Sequence, residues 1–227
     1  MTDKTYHICI YGDSNSWGFL DDGSGIRYEA RWPVVMADKL SAELGAQVKL
    51  VEECLPGRTT AYPDSQEGPE YNGLPYLKPA LLSHAPLDII VIMLGTNDAK
   101  KRFQASADSV SDNLVTLAKI ARRAPVGHGK WREGLSPKVM IIAPANLGKR
   151  ANNPDWPRYE EWQGGSEMIA QLPDMLKTKL AAINDKDLYF ADANEAVTPS
   201  EQDPIHWSKA SHHQMGQTIA KYLTTIL

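Results

Sequence analysis

The sequence has few cysteines, no excess of positive charge and no long apolar run. Its only two cysteines, Cys9 and Cys54, form no Cys-x-x-Cys pair and are too few for a disulfide framework. Each lies in or at the end of an apolar run, so we expect reduced thiols that pack as small hydrophobic side chains. The formal net charge of -4 argues against a nucleic-acid-binding face, because neutralising phosphates requires clustered Lys and Arg.

Membrane-spanning and secretory segments are also missing. No stretch approaches the roughly 20 apolar residues that a membrane span requires. The first five residues lead directly into a strand-like run, without the pattern of a secretory signal. We therefore expect a cytoplasmic protein that does not associate with membranes.

What is present is an ordinary globular composition, with 42% apolar and 23% charged residues in 227. We find no internal repeat, low-complexity tract or linker, and the length predicts a single domain over residues 1–227. Apolar runs predict five strands, at residues 6–11, 48–52, 89–94, 139–143 and 188–191. The third and fourth are continuously apolar, which is typical of parallel strands that are buried on both faces.

Amphipathic segments separate these strands. Apolar side chains recur at helical spacing at Trp32, Val35, Met36, Leu40 and Leu44, at Val110, Leu114, Leu117 and Ala121, and at Met215, Ile219, Tyr222 and Ile226. The alternating order predicts a three-layer α/β/α sandwich with a five-stranded parallel sheet, of flavodoxin-like type. Ligands of such folds bind outside the carboxyl ends of the strands.

Polar clusters follow the predicted strands at that edge. Ser14 comes after the first strand, Gly57 after the second, Asn97 after the third, and Asp203 with His206 after the fifth. These are the groups that acyl transfer requires. Ser14 is the candidate nucleophile, His206 its general base and Asp203 the residue that orients the imidazole. The backbone N–H groups of Ser14 and Gly57 and the Asn97 side-chain amide are candidate oxyanion-hole donors.

Each cluster has a simpler interpretation when taken alone. Gly-Asp-Ser is a common turn, Asn97-Asp98 can begin a helix, Gly57 can be a left-handed turn residue, and Asp203 can cap the turn before Pro204. Four such clusters in order, at four strand ends, favour an active site.

In these clusters the chain resembles the SGNH (GDSL-type) hydrolases, and most closely their small bacterial arylesterase/acyltransferase branch. Gly12-Asp13-Ser14, Gly57, Gly95-Thr96-Asn97-Asp98 and Asp203-x-x-His206 look like the four family blocks. The resemblance implies an SGNH hydrolase domain with a Ser-Asp-His triad, a three-donor oxyanion hole, no metal and no cofactor. One departure is Asn15, where the family commonly has Leu. A polar side chain beside the nucleophile can alter the local packing or the acyl pocket, so it bears on the substrate and not on the triad.

The function predicted on this basis is a serine esterase that hydrolyses small acetyl, short-chain or aryl esters through an acyl-serine intermediate. An acyltransferase or perhydrolase with the same triad, and a carbohydrate-acetyl esterase, stay open as alternatives. A metallophosphoesterase is disfavoured, because the Asp-x-His and further ligands that it needs are missing. A flavodoxin-like nucleotide-binding module is disfavoured by the absence of a glycine-rich phosphate loop.

Aromatic side chains are the candidates for substrate binding and assembly. Trp17 and Phe19, just past the nucleophile, either wall an acyl pocket or pack in the core, and Trp162 is a further pocket candidate. Residues 147–165 carry Trp156, Tyr159 and Trp162 among prolines and charges. Exposed aromatics favour an interface, so we expect a homo-oligomer that uses this segment, with a solvent-facing lid as the alternative.

Overall fold

The computed structural model describes residues 4–227. Residues 1–3, which belong to the predicted domain and to the segment that we expect to carry no secretory signal, lie outside the described residues. Five strands form one parallel sheet in the order β2-β1-β3-β4-β5. Their bounds are β1 Thr5–Gly12, β2 Gln47–Cys54, β3 Ile89–Met93, β4 Lys138–Ala143 and β5 Leu188–Asp192. The predicted five-stranded parallel sheet is therefore confirmed.

Five long helices connect or follow the strands. They are α2 (Trp32–Leu44), α3 (Gly73–Ser83), α4 (Ala107–Arg123), α6 (Gly165–Ala181) and α7 (Lys209–Ile226), and two one-turn helices, α1 (Ser14–Trp17) and α5 (Tyr159–Trp162), lie in the loops. Short 3₁₀ turns occupy Pro69–Tyr71, Asn97–Ala99, Lys101–Phe103, Lys149–Asn152 and Ala193–Glu195. The predicted alternation of strand and helix is confirmed.

Two apolar clusters cover the two faces of the sheet, because neighbouring strand residues point to opposite sides. Ile90 and Ile92 of β3 face the layer formed by α3, α4 and α6. Ile89 and Val91 face the layer formed by α2 and α7. The result is the α/β/α sandwich that the apolar runs predict.

The edge strand β2 is longer than its predicted core, residues 48–52. It pairs with β1 over Gln47–Cys54, and none of its residues is fully buried. An edge strand has a neighbour on one side only, so polar residues can occupy its ends while the backbone still pairs. The apolar pattern therefore ends before the pairing does.

Residues 147–165 do not present their tryptophans to solvent, and the expectation of exposed aromatics there was wrong. Trp156 is 7% exposed and Trp162 is 1% exposed. Both belong to the apolar cluster under α4 and α6, together with Leu147 and Ala151. The segment folds back onto this cluster, so its aromatic content reflects core packing.

The two thiols are free. Cys9 is buried within β1, and burial raises the pKa of its thiol to about 12. Cys54 donates from Sγ to the Ile10 carbonyl over 3.6 Å, and burial raises the pKa of its thiol well above the ordinary value. Both therefore stay protonated, as expected for packing thiols.

Within residues 4–227, none of the helices is long and apolar enough to span a bilayer.

Candidate active site

Ser14 begins helix α1 just after β1, which lies between β2 and β3 in the sheet. The Asp13 carboxylate caps this turn by accepting from the Asn15 N–H over 3.0 Å, and Gly18 ends it in a left-handed conformation with φ of 99°. Ser14 is 4% exposed. Its backbone N–H donates to no acceptor within residues 4–227, as expected at the start of a helix. The turn therefore presents a hydroxyl and a free N–H together.

Asp203 and His206 form a hydrogen-bonded pair. His206 Nδ1 lies 2.6 Å from Asp203 Oδ2, while Asp203 Oδ1 accepts the backbone N–H groups of Ile205 (2.8 Å) and His206 (3.3 Å). Burial acts to raise the pKa of the Asp203 carboxyl, but the hydrogen bond and charge of His206 and these two N–H groups outweigh it, so the pKa is lowered. Asp203 is thus a carboxylate that fixes the imidazole with Nε2 free for another partner.

Two contacts join the Ser14 turn to the His206 loop. The Asn15 side-chain amide donates to the Ile205 carbonyl over 3.2 Å, in a buried position. The Phe19 ring stacks on the His206 ring, with centroids 4.2 Å apart and planes inclined by 27°. Although these residues are almost 200 positions apart in sequence, the fold places them side by side.

Gly57 follows β2 and Asn97 follows β3, the two strands that flank β1, and their loops meet beyond the end of β1. Gly57 has φ of 91°, and a Cβ there would approach the Tyr71 ring to 3.0 Å, so the position needs glycine. Its N–H donates to no acceptor among residues 4–227. Asn97 is 5% exposed, and one of its amide hydrogens goes to the Arg58 carbonyl over 3.2 Å. The second amide hydrogen is left for a ligand.

Arg58 links the Gly57 loop to the Ser14 strand. Its buried guanidinium donates to the Gly12 carbonyl over 3.3 Å and to the Glu53 carbonyl, and it lies 4.2 Å from the centre of the Tyr11 ring. The arginine therefore satisfies the carbonyls at the ends of β1 and β2, where the ladder between these strands stops.

Two completely buried acids, Asp13 and Asp98, support the same edge. Asp98 accepts the Thr60 N–H over 3.0 Å and the Thr60 hydroxyl. Burial raises the pKa of Asp98 to about 6, although the Thr60 hydrogen bonds oppose this. Burial, with repulsion from Asp98, raises the pKa of Asp13 to about 7. Their hydrogen bonds hold the Ser14 turn and the Thr60 loop in place.

Residues 147–165 support the loop that carries Asp203. The Gly148 N–H donates to the Pro204 carbonyl over 2.8 Å, and Arg150 donates to the Gln202 carbonyl over 2.6 Å. A Cβ on Gly148 would come within 2.7 Å of the Ser200 carbonyl oxygen, so the close approach requires glycine. The segment therefore holds the acid/base loop from behind.

Of the three aromatic pocket candidates, the structure places two at the site and one in the core. Phe19 stacks on His206, and Trp17 lies 6.3 Å from Phe19 with the Arg27 guanidinium over its ring. Both are partly exposed and lie outside the two core clusters. Trp162 is a core residue.

Sequence reasoning did not find the bridging role of Asn15 or the role of buried His212. His212 Nδ1 accepts the Trp32 N–H and its Nε2 faces the Phe19 carbonyl, both over 3.4 Å, which anchors the residue that stacks on His206. The departure from Leu at position 15 was the only sequence signal for the bridging role of Asn15. Nothing in the sequence indicated the role of His212.

The fold and the site together define a class: a flavodoxin-like sheet with a serine, an Asp–His pair and an asparagine amide at its carboxyl edge is an SGNH-type hydrolase. The chain belongs to the GDSL-like lipase/acylhydrolase family, which it matches over residues 10–214, and it is a carboxylic ester hydrolase.

Solved structures of similar proteins agree with this assignment. A carbohydrate acetylesterase from Sinorhizobium meliloti is 29% identical, with a TM-score of 0.85 over 98% of this chain and 100% of that one. An aryl esterase from M. smegmatis is 28% identical, with the same TM-score and the same coverage. A search of curated proteins gave no match.

Proposed function

We propose that the protein is a serine esterase that hydrolyses small acetyl, short-chain or aryl esters through an acyl-serine intermediate. Ser14 is the nucleophile, His206 the general base and Asp203 the residue that orients it. The oxyanion hole consists of the backbone N–H groups of Ser14 and Gly57 and the side-chain amide of Asn97.

The observation that carries this proposal is the Asp203–His206 pair, held against the Ser14 turn by the Phe19 stack and the Asn15 hydrogen bond. With Nδ1 bound to Asp203, the His206 Nε2 is the nitrogen that accepts a proton from Ser14. The two backbone N–H groups and the second Asn97 amide hydrogen supply donors that are already in place before charge develops.

The reaction proceeds in two halves. Ser14 Oγ bonds to the ester carbonyl carbon as its proton passes to His206, and the tetrahedral oxyanion accepts hydrogen bonds from the hole. The carbon–oxygen bond to the alcohol then breaks, and His206 returns the proton to the leaving alkoxide. Water attacks the acyl-serine by the same route, with its proton going to His206 and then to Ser14, which releases the carboxylic acid.

Two variants of this activity are open: one differs in the alcohol part of the ester substrate, the other in the molecule that accepts the acyl group. A carbohydrate acetyl ester as substrate is supported by the likeness to the Sinorhizobium meliloti acetylesterase. Transfer to an alcohol or peroxide uses the same residues, with the acceptor in the place of water. Partly exposed Trp17 and Phe19 are the proposed walls of the acyl pocket, where they favour small or flat acyl groups.

One experiment tests the proposal and separates its variants. Turnover is measured on p-nitrophenyl esters and sugar acetates of graded chain length, with methanol as a competing acceptor. We expect fast turnover of acetyl esters, a fall with longer chains, and none in the Ser14→Ala variant. A methyl ester as main product identifies acyl transfer. Equal turnover by the parent and Ser14→Ala contradicts the proposal.

The homo-oligomer is also a proposal, but its support no longer comes from Trp156 or Trp162. It comes from apolar side chains that are exposed on the chain, which are Ile26, Tyr76, Trp131 and Leu135. Light scattering coupled to size exclusion tests it, and a monomer mass of 25.1 kDa contradicts it. The cytoplasmic location stays a prediction.

A further inference from the structure

At the amino edge of the sheet, away from Ser14, three metal-ligating side chains converge. His7 lies in β1, Asp88 directly precedes β3, and His128 lies in the connection between α4 and β4. One ligand atom from each lies within 4.8 Å of the other two, and no second group of this kind occurs within residues 4–227. Asp88 Oδ2 is 3.7 Å from His7 Nδ1, and Asp88 Oδ1 is 3.4 Å from His128 Nε2.

These separations are close to those of a tetrahedral zinc site. Zinc bonds of about 2.0–2.1 Å place neighbouring ligand atoms about 3.3–3.4 Å apart. His128 has a side chain that is 58% exposed, so it can turn to complete the geometry and leave a fourth position for water. Two imidazoles with one carboxylate favour zinc over magnesium or calcium, which prefer oxygen ligands alone.

His7 has a buried nitrogen that points to a ligand. Its Nδ1 atom is buried and has no hydrogen-bond partner within residues 4–227. A buried polar atom normally has a partner, and a metal ion between the three side chains would supply one for this nitrogen.

The backbone holds the ligands in place before any ion binds. The His7 N–H donates to Asp88 Oδ2 over 2.7 Å, and the Asp88 N–H donates to the His7 carbonyl over 2.9 Å. The loop with His128 is tied down by a hydrogen bond of 2.7 Å from the Leu87 N–H to the Val126 carbonyl. Such supporting contacts orient metal ligands.

We propose that His7, Asp88 and His128 bind one zinc ion, which fastens the loop of residues 124–137 to the amino edge of the sheet. The site is independent of the proposed ester hydrolysis. Gly12 lies five residue steps beyond His7 along β1, about 16 Å at the usual rise per residue. The ion thus acts on the stability of the loop and takes no part in turnover.

Zinc affinity is the first test. The protein is treated with EDTA, freed of chelator and titrated with zinc chloride in competition with a chromophoric chelator. We expect one zinc per chain, and an affinity at least about tenfold weaker in His7→Ala, His128→Ala and Asp88→Asn. His213→Ala is the matched control, because His213 is an exposed histidine on α7 that contacts Gln217. Parent-like affinity in His128→Ala overturns the proposal.

Hydrogen exchange is the second test, and it reports on the loop itself. Zinc should slow amide exchange over residues 124–137 in the parent and in His213→Ala, and leave it unchanged in His128→Ala. Since His128 is exposed, this variant should fold even if His7→Ala does not. Unchanged exchange in the zinc-treated parent, or loss of ester hydrolysis when zinc is removed, overturns the fastening role.

Discussion

The two edges of the sheet use polar side chains in opposite ways. At the carboxyl edge, Asp13, Asp98 and Asn97 are buried, and each braces a loop that approaches Ser14. At the amino edge, His7 and Asp88 are partly exposed and His128 is largely exposed, although the His7 Nδ1 atom is buried. A buried polar group must keep its partner, so changes at the carboxyl edge should alter catalysis, whereas changes at the amino edge should alter local stability alone.

The largest expected effect comes from removing the charge of Asp203. Asp203→Asn keeps the shape of the side chain but favours the wrong imidazole tautomer, so we expect kcat to fall by about 10⁴-fold. The unfolding temperature should change little, because the residue is partly exposed. Steady-state kinetics on p-nitrophenyl acetate measure the effect, and a decrease of less than tenfold would show that Asp203 does not orient the base.

The next effect in size comes from the oxyanion hole. Asn97→Ala should lower kcat by roughly 10²–10³-fold, equivalent to about 2.7–4 kcal/mol, with little change in KM. Gln104→Ala, at an exposed position in the following turn, is a suitable control. A change confined to KM would mean that Asn97 binds substrate without stabilising the transition state.

Asp98 extends the comparison to stability. Its pKa is raised from 3.8 to about 6 by burial, so between these values the folded protein binds more protons than the unfolded chain. Stability should therefore fall as pH rises through this window, by up to about 1.4 kcal/mol per pH unit for this carboxyl. Asp98→Asn, which keeps an acceptor for the Thr60 N–H, should flatten this slope.

Urea unfolding between pH 4 and pH 8 measures the slope for the parent, for Asp98→Asn and for Asp174→Asn, a control at an exposed position of α6. The control should follow the parent. The same slope in all three proteins would refute a titrating carboxyl at Asp98.

The smallest effect is expected at Asn15. Asn15→Leu removes the hydrogen bond to Ile205, and a net contribution of about 0.5–1.5 kcal/mol corresponds to a fall in kcat of roughly two- to twelvefold. Stability should fall by no more than this amount, because the Asn15 Oδ1 is buried without a partner and leucine removes that unpaired atom. Unchanged kcat with lower stability would mean that Asn15 only packs.

The sequence alone was sufficient for the sheet and for the residues at its carboxyl edge. Continuous apolar runs mark the buried strands β3 and β4, and the loops that follow parallel strands necessarily meet at one edge. Residues 147–165 were misread, because nothing local distinguishes a buried tryptophan from an exposed one.

Contacts between distant parts of the chain could not be predicted from the sequence either. The Asn15–Ile205 bond joins residues 190 positions apart, and the convergence of His7, Asp88 and His128 depends on the path of three separate connections. The raised pKa of Asp98 likewise follows from the depth of its burial, which the residue type does not reveal.

The central claim is that Ser14 is the nucleophile activated by His206, and covalent labelling tests it most directly. The parent protein is treated with a serine-directed organophosphonate, digested and analysed by mass spectrometry. We predict one adduct per chain, on Ser14, with much slower labelling in Asp203→Asn and none in Ser14→Ala. An adduct on another residue, or equal labelling of Ser14→Ala, would contradict the account.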